Sequence, residues 1–287
     1  MNHNFLQNDM LSSELRPEVE LLVQLSRLNL VPETLRIVKE IIDSRIDWKL
    51  FLEEARRHRL LGLIYHHFLT NNLRLPSQVI GTLSESAIRN QERANIWFQE
   101  IEQISNVLVD FDASVVVLKG PALIHQVYES SLIRPFSDID LLTFTEVVQN
   151  VEKTLCKLGY VQVSYNRKTK EYVPMTPLEI ELYPGVHRPI MMRQKALSPI
   201  KFSIDLHHTG LGVGKVDYRS IINNSKPLYE SRKGLWVPSL EDLIILSAWH
   251  FYNNTVDSFR RQSYRNSVGI GTRDGFSPKS GQDRRWR

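Results

Sequence analysis

The sequence predicts an α+β fold: a largely helical N-terminal region, a small mixed β-sheet, and a helix after the sheet. Apolar residues recur three and four positions apart through most of the first 112 residues, which is typical of amphipathic helices. From residue 113, short β-branched runs alternate with helical patterns, which favours a mixed α/β layer. We therefore predict a helical region (1–112), a sheet core (113–215), a C-terminal strand and helix region (216–265), and a disordered tail (266–287).

The N-terminal helices are indicated by local patterns and by their start positions. Asp47 precedes Trp48 and is a plausible N-cap, because its side-chain oxygen can accept the free N–H groups of the first turn. No residues in this region have a catalytic spacing. The predicted helical segments are PEVELLVQLSRLNL, PETLRIVKEII, DWKLFLEEARRHRLLGLIYHHFLT and SESAIRNQERANIWFQEIEQISNVLVDF.

The sheet core begins with SVVVLKG, a β-branched run that predicts a buried strand. Pro121 is well placed in the first turn of the helix that follows, and Gly159 ends a second helix, EVVQNVEKTLCKL. Ser239 is a plausible N-cap for the last helix, with Asp242 at its third position. The other predicted strands are FSDIDLLTF, YVQVSY, LEIELY and IKFSIDLHH.

Composition and charge limit the partners that we expect. The net charge of +4 comes from residues 260–287, which carry eight Lys or Arg and two Asp; the preceding residues have a net charge of −2. This distribution argues against a long nucleic acid as partner. The chain has no apolar run of 18 residues and no secretory signal pattern, so we expect no membrane partner. Its single cysteine fits a reducing compartment, and we predict a cytoplasmic protein.

Two carboxylates one residue apart, Asp138 and Asp140, lie in the apolar segment FSDIDLLTF. Side chains at i and i+2 of a strand point to the same side, so these like charges require a cation between them or a shared proton. Oxygen ligands suit Mg²⁺, and Asp205 in IKFSIDLHH is the best third acid. Three carboxylates on adjacent strands can hold two metal ions for an in-line displacement at phosphorus. Alternatively, Asp138 only caps a turn.

A possible phosphate site precedes this pair of acids. Gly120 stands where the strand SVVVLKG meets a helix, and a helix N-terminus favours anions because of its free N–H groups and its dipole. The glycine-containing segment TGLGVGK, residues 209–215, lacks the spacing of a nucleotide loop, so we interpret it as a flexible connection.

The segment LKGPALIHQVYESSLIRPFSDIDLL resembles the family of uncharacterised nucleotidyltransferases, in the superfamily of DNA polymerase beta. IDWKLFLEEARRHRLLGLI and PSLEDLIILSAWH are also similar to this family, and the resemblance extends over roughly residues 20–255. Lys119-Gly120-Pro121 stands where the superfamily usually carries Gly-Ser or Gly-Gly. The residues that carry the resemblance are Leu118, Lys119, Gly120, Tyr128, Arg134, Pro135, 137–142 and 205–207.

The resemblance implies a metal-dependent enzyme that transfers a nucleoside monophosphate from an NTP, such as ATP, to an acceptor hydroxyl and releases pyrophosphate. The acceptor is open: a protein, a small molecule or an RNA end. The rival hypothesis is a catalytically inactive module on the same fold that binds nucleotides or proteins. The resemblance assigns catalysis and Mg²⁺, in a two-ion site, to Asp138, Asp140 and Asp205, and nucleotide binding to Lys119, Gly120, Arg134 and Ser137.

Three residues near this site have open alternatives. Arg134 could neutralise phosphate charge or form a structural ion pair with one of the acids. Lys119 could also neutralise phosphate charge, or it could be a solvated residue at the end of the strand. His207 shares its side of the strand with Asp205, so it is either a partner of the metal-binding acid or a structural histidine.

Overall fold

The computed structural model confirms the α+β class. It describes residues 15–252 except 112–113, 129, 184–187, 196–197, 199, 209–216 and 231. The predicted tail (266–287) and the connection at 209–215 therefore lie outside the described residues. The domain boundaries stay predictions. No helix in the described ranges is long and apolar enough to cross a membrane.

Five helices form the N-terminal part, as the apolar periodicity predicts. The Asp47 carboxylate accepts hydrogen bonds from the N–H groups of Lys49 and Leu50, which confirms it as an N-cap. The long segment that begins there is interrupted at Arg59, whose φ of 62° lies in the left-handed region, so two helices form instead of one. The bounds are α1 Pro17–Leu25, α2 Pro32–Ile42, α3 Trp48–Arg57, α4 Leu61–Asn71 and α5 Ser77–Val107.

Eight strands of the described residues form one mixed sheet, in the order β4-β3-β5-β6-β2-β1-β8-β7. The pairs β2–β6 and β1–β8 are parallel, and the others are antiparallel. The bounds are β1 Val115–Val117, β2 Ile139–Thr143, β3 Val161–Asn166, β4 Glu171–Pro174, β5 Ile190–Gln194, β6 Lys201–His207, β7 Lys226–Tyr229 and β8 Arg232–Val237.

The strand predicted for LEIELY is wrong, because these residues lie largely in a short helix. The Thr176 hydroxyl accepts the N–H of Glu179 while the Glu179 carboxylate accepts the N–H of Thr176, a capping box that starts the helix. The remaining helices are α6 Lys119–Gln126, α7 Val148–Lys157, α8 Pro177–Glu181, α9 Tyr218–Asn223 and α10 at 240–252, where Ser239 and Asp242 cap as predicted.

Apolar residues form three clusters. The helical core joins α1–α4 with the first half of α5, and the sheet core lies between one face of the sheet and the second half of α5. A smaller outer cluster lies on the opposite sheet face, under α9 and α10. Representative residues are Leu21, Phe51 and Leu83 in the helical core, Trp97, Leu141 and Phe202 in the sheet core, and Leu118, Leu142, Ile222 and Leu246 in the outer cluster.

A buried ionic cluster connects α5 to the sheet. The Glu100 carboxylate is fully buried and accepts hydrogen bonds from the Tyr160 hydroxyl and from Arg193, each at 2.9 Å. Lys195 lies 2.5 Å from its other oxygen. A buried charge is tolerable only when it is paired in this way. Burial, together with the nearby Glu100, raises the pKa of the Tyr160 hydroxyl, so Tyr160 stays neutral and donates.

Candidate active site

The parallel pairing of β2 with β6 brings two of the predicted acids together. Asp140 and Asp205 are direct partners in the register, and Leu142 pairs with His207 two residues on. Successive residues of a strand point to opposite faces, and Leu142 packs in the outer cluster. Asp140 therefore faces the side of the sheet that α9 and α10 cover.

Asp140 is the centre of this site. Its side chain is almost wholly buried, and its Oδ1 atom lies 2.5 Å from Lys119 Nζ and 3.1 Å from His207 Nε2. The same imidazole nitrogen lies 3.8 Å from Asp205 Oδ2. The ligand atoms of Asp140, Asp205 and His207 all lie within 4.8 Å of one another, so these three residues could hold one metal ion.

Lys119 combines an ion pair to Asp140 with an unusual backbone conformation. It is the first residue of α6, and its φ of 52° lies in the left-handed region, which costs a non-glycine residue about 1–2 kcal/mol. The adjacent Leu118 N–H donates to the Asp140 carbonyl at 2.9 Å, which fixes the backbone of both segments. Lys119 is therefore an ion-pair partner of a buried acid, and the alternative of a solvated strand end is wrong.

The two acids of the predicted pair lie in different environments. Asp138 precedes β2, outside the group of three possible ligands, and its side chain reaches solvent. The pKa of Asp138 is raised to about 6, mainly because protein displaces water from around its carboxylate and secondly because of the charge of Asp140. Burial also opposes the ionisation of Asp140, but His207 and Lys119 outweigh it and lower its pKa to about 2. Asp140 therefore carries the permanent negative charge.

The residues before Asp138 are held by packing. Gly120 lies against Phe136, and a Cβ atom at Gly120 would lie 2.7 Å from the Phe136 Cβ. The Arg134 guanidinium lies 5.8 Å from the centre of the Tyr128 ring, a cation–π contact. In the described part of the chain, Arg134 Nε has no hydrogen-bond partner and no ion pair joins Arg134 to an acid. Ser137 contributes its backbone N–H to the Asp138 carboxylate.

The helical region also positions the loop at 130–138, which leads into β2. Gly62 in α4 lies so close to the loop that an added Cβ would be 2.0 Å from the Leu132 carbonyl oxygen, which also accepts a hydrogen bond from Asn90 at 3.4 Å. Trp97 and Phe98 of α5 contact the Phe136 ring, with centroid separations of 5.8 and 5.6 Å. Helices without catalytic residues thus determine where the loop leads into β2.

Sequence reasoning did not single out His250, in α10. Desolvation and the positive charges of Lys119 and His207 lower its pKa, whereas Asp140 raises it, so its imidazole lies within electrostatic reach of the site. Its position at the end of SLEDLIILSAWH, after a run of apolar residues, was the available signal. The contact of His207 with Asp140 was not predicted either, because it depends on the register of β2 and β6.

Comparison with known proteins identifies the family of this chain. The model of the family described as uncharacterised nucleotidyltransferase matches residues 44–263. The chain belongs to this family. The matched range includes α3 to α10 and every residue of the site. Membership assigns the chain to the nucleotidyltransferases at the level of class and implies an NTP substrate.

The other comparisons add less. A crystal structure of a candidate nucleotidyltransferase from Thermotoga maritima is similar to 60% of this chain and to 94% of its own, with 16% identity and a TM-score of 0.37. No curated protein matches the sequence at a significant level.

Proposed function

We propose that this member of the family transfers a nucleoside monophosphate from an NTP to an acceptor hydroxyl. The acceptor oxygen attacks the α-phosphorus, the bond from that phosphorus to the bridging oxygen breaks, and pyrophosphate leaves. The acceptor proton passes to Asp205, whose side chain is 47% exposed and so within reach of a substrate. The acceptor is a protein, a small molecule or an RNA end.

The observation that carries the proposal is the adjacency of Asp140 and Asp205 in the register, with Lys119 and His207 on the same carboxylate. The donor set fits a divalent ion, because carboxylate oxygens and an imidazole nitrogen are common metal ligands. Asp138, Asp140 and Asp205 would hold it, as Mg²⁺ in a two-ion site. When bound, such ions polarise the phosphate oxygens and stabilise the leaving pyrophosphate.

The cationic residues bind the phosphates in this proposal. Lys119 Nζ is part of the site, and its side chain is 35% exposed, so the ammonium can turn from Asp140 to a bound phosphate. Arg134 adds a positive charge that no acid neutralises through an ion pair in the described part of the chain. The N–H group at the start of α6, at Gly120, and the Ser137 hydroxyl supply further donors. Binding by backbone groups requires Gly120 and Phe136 to stay packed as they are.

Titration calorimetry with each of the four NTPs, with and without Mg²⁺, tests the proposal. We expect tight binding of at least one NTP that requires the metal and is lost in Asp140→Asn. The same samples should slowly form pyrophosphate and nucleoside monophosphate with water as acceptor, and Asp140→Asn should reduce this rate about a thousandfold, because a metal ligand contributes several kcal/mol. Glu40→Gln removes the same charge from an exposed pair in α2 and should change neither result.

The outcomes separate the enzyme from its rival. Binding without product, even after cell extract has been added as a source of acceptors, would favour the inactive nucleotide-binding module. Absence of binding for every NTP would overturn both the enzyme and the nucleotide-binding module.

A further inference from the structure

His207 differs from the oxygen ligands that the sequence pattern suggests. Its Nε2 atom lies 3.1 Å from Asp140 Oδ1 and 3.8 Å from Asp205 Oδ2, and its side chain is only 16% exposed. Two ligands of one ion, with bonds of about 2.1 Å, lie roughly 3 to 4 Å apart. The imidazole nitrogen therefore already lies at the distance from both carboxylates that shared coordination requires.

The strand geometry explains why this arrangement is fixed. Asp205 and His207 are two residues apart on β6, so both side chains lie on the sheet face that carries Asp140. The backbone pairing of β2 with β6 holds all three residues at once. Little rearrangement is needed for Nε2 to face an ion, which lowers the entropic cost of binding.

From these contacts we infer that His207 is a direct nitrogen ligand of the metal and that the site takes a divalent transition metal in preference to Mg²⁺. This inference rests on the proposed transfer reaction and replaces the Mg²⁺ of that proposal with another class of ion. Mg²⁺ prefers an octahedron of oxygens, whereas an imidazole suits Zn, Fe, Ni and Cu ions. A mixed Asp–Asp–His set therefore suits a metal that accepts imidazole, whereas Mg²⁺ would use only the two carboxylates well.

A positioning role for His207 is the alternative, in which it only donates a hydrogen bond to Asp140. That role leaves metal bound through oxygen alone. The two roles differ in whether nitrogen is bonded to the ion, and spectroscopy measures this directly.

Mn²⁺ is the probe, because it accepts carboxylates and its unpaired electrons detect bonded nitrogen. Pulsed electron paramagnetic resonance of the full chain with Mn²⁺ alone, and then with a non-hydrolysable NTP analogue, should show a nitrogen coupling. Replacement of natural histidine by ¹⁵N-histidine should change that coupling. This part of the test needs no variant, so it remains valid even if a substitution impairs folding.

Two variants then assign the nitrogen. We expect His207→Gln to abolish the coupling and to lower the ratio of Mn²⁺ to Mg²⁺ affinity, because the imidazole is the ligand that Mg²⁺ uses least well. His250→Gln is the matched control, since His250 also lies near Asp140, and it should keep the coupling. A coupling that disappears in His250→Gln and survives in His207→Gln would overturn the inference.

Failure of the inference differs from failure of the proposed function. Mn²⁺ that binds through Asp140 without any nitrogen coupling would overturn the role of His207 and leave metal-dependent transfer in place. Absence of metal binding, both with and without the NTP analogue, would overturn both.

Discussion

The helical core and the candidate active site differ in the kind of side chain that they bury. The helical core consists of apolar side chains such as Leu21, Phe51 and Leu83, all fully buried, and most charged residues of its helices lie outside it. The active site buries a carboxylate, Asp140, and holds Lys119 in a strained backbone. Stability is gained in the first region and partly lost in the second, a division expected when a site must hold reactive groups close together.

The two regions meet at one loop. Gly62 of the helical region contacts the Leu132 carbonyl, and Phe136 of the same loop packs on Gly120 at the site. A change in the helical core should therefore alter stability without altering chemistry, unless it lies at this junction. Substitutions in each region can test whether stability and chemistry are separable in this way.

The largest effect is expected in the helical core. Phe51→Ala should lower the free energy of unfolding by about 3–5 kcal/mol, because it removes a fully buried ring and leaves a cavity. Denaturant unfolding measures the loss, and the fraction that stays folded should bind Mn²⁺ with unchanged affinity. Leu69→Ala, at an exposed position of α4, should cost less than about 0.5 kcal/mol. A large change in the metal affinity of folded Phe51→Ala would show that the two regions are coupled.

A smaller effect is expected at the junction, on both stability and chemistry. Gly62→Ala places a Cβ against the Leu132 backbone, which must move, at a cost of about 1–3 kcal/mol. We expect this shift to reach Ser137 and Asp138 and to weaken metal-dependent NTP binding. Gly81→Ala is the control: nothing lies within 4 Å of its Cβ, so it should stabilise α5 by about 0.5–1 kcal/mol. Equal effects of the two substitutions would contradict the close contact.

The smallest effect is expected at Asp138, where a substitution should increase the free energy of unfolding. Its pKa is about 6 in the folded chain and 3.8 ordinarily, so between these values the folded state holds a proton that the unfolded state has lost. Stability therefore falls as pH rises through this window. Asp138→Asn should stabilise the protein at pH 7, by no more than about 1 kcal/mol because the carboxylate reaches solvent. Thermal unfolding at pH 7 and pH 4 tests this: the gain should fall to a small fraction at pH 4, close to the ordinary pKa.

The comparison also shows which features the sequence predicts. The N-terminal helices follow from local periodicity and from caps such as Asp47, and the structure confirms them. LEIELY alternates like a strand, but Thr176 and Glu179 start a helix there. Strands β4 and β5 were not predicted, and of β7 and β8 only the presence of a strand within 216–265 was, because short strands depend on pairing with distant segments. These strands lie towards the two edges of the sheet.

The site was predictable in its residue types and less so in its contacts. Asp140 and Asp205 were expected to be neighbours, and the register pairs them. The role of His207 and the left-handed backbone of Lys119 depend on packing between segments that are distant in sequence. The sequence also suggested that Gly120 permits phosphate approach, whereas the structure shows in addition that Phe136 leaves no room for a side chain.

The ion pair between Lys119 and Asp140 has a consequence for how the protein is made. Domains whose ligand residues have no internal partner fold only when metal is supplied, and chelators unfold them. Here the chain itself supplies a cation to the buried acid of the site, so folding need not wait for a metal. We therefore expect the protein to fold before any ion or nucleotide binds, so a chelator should not unfold it.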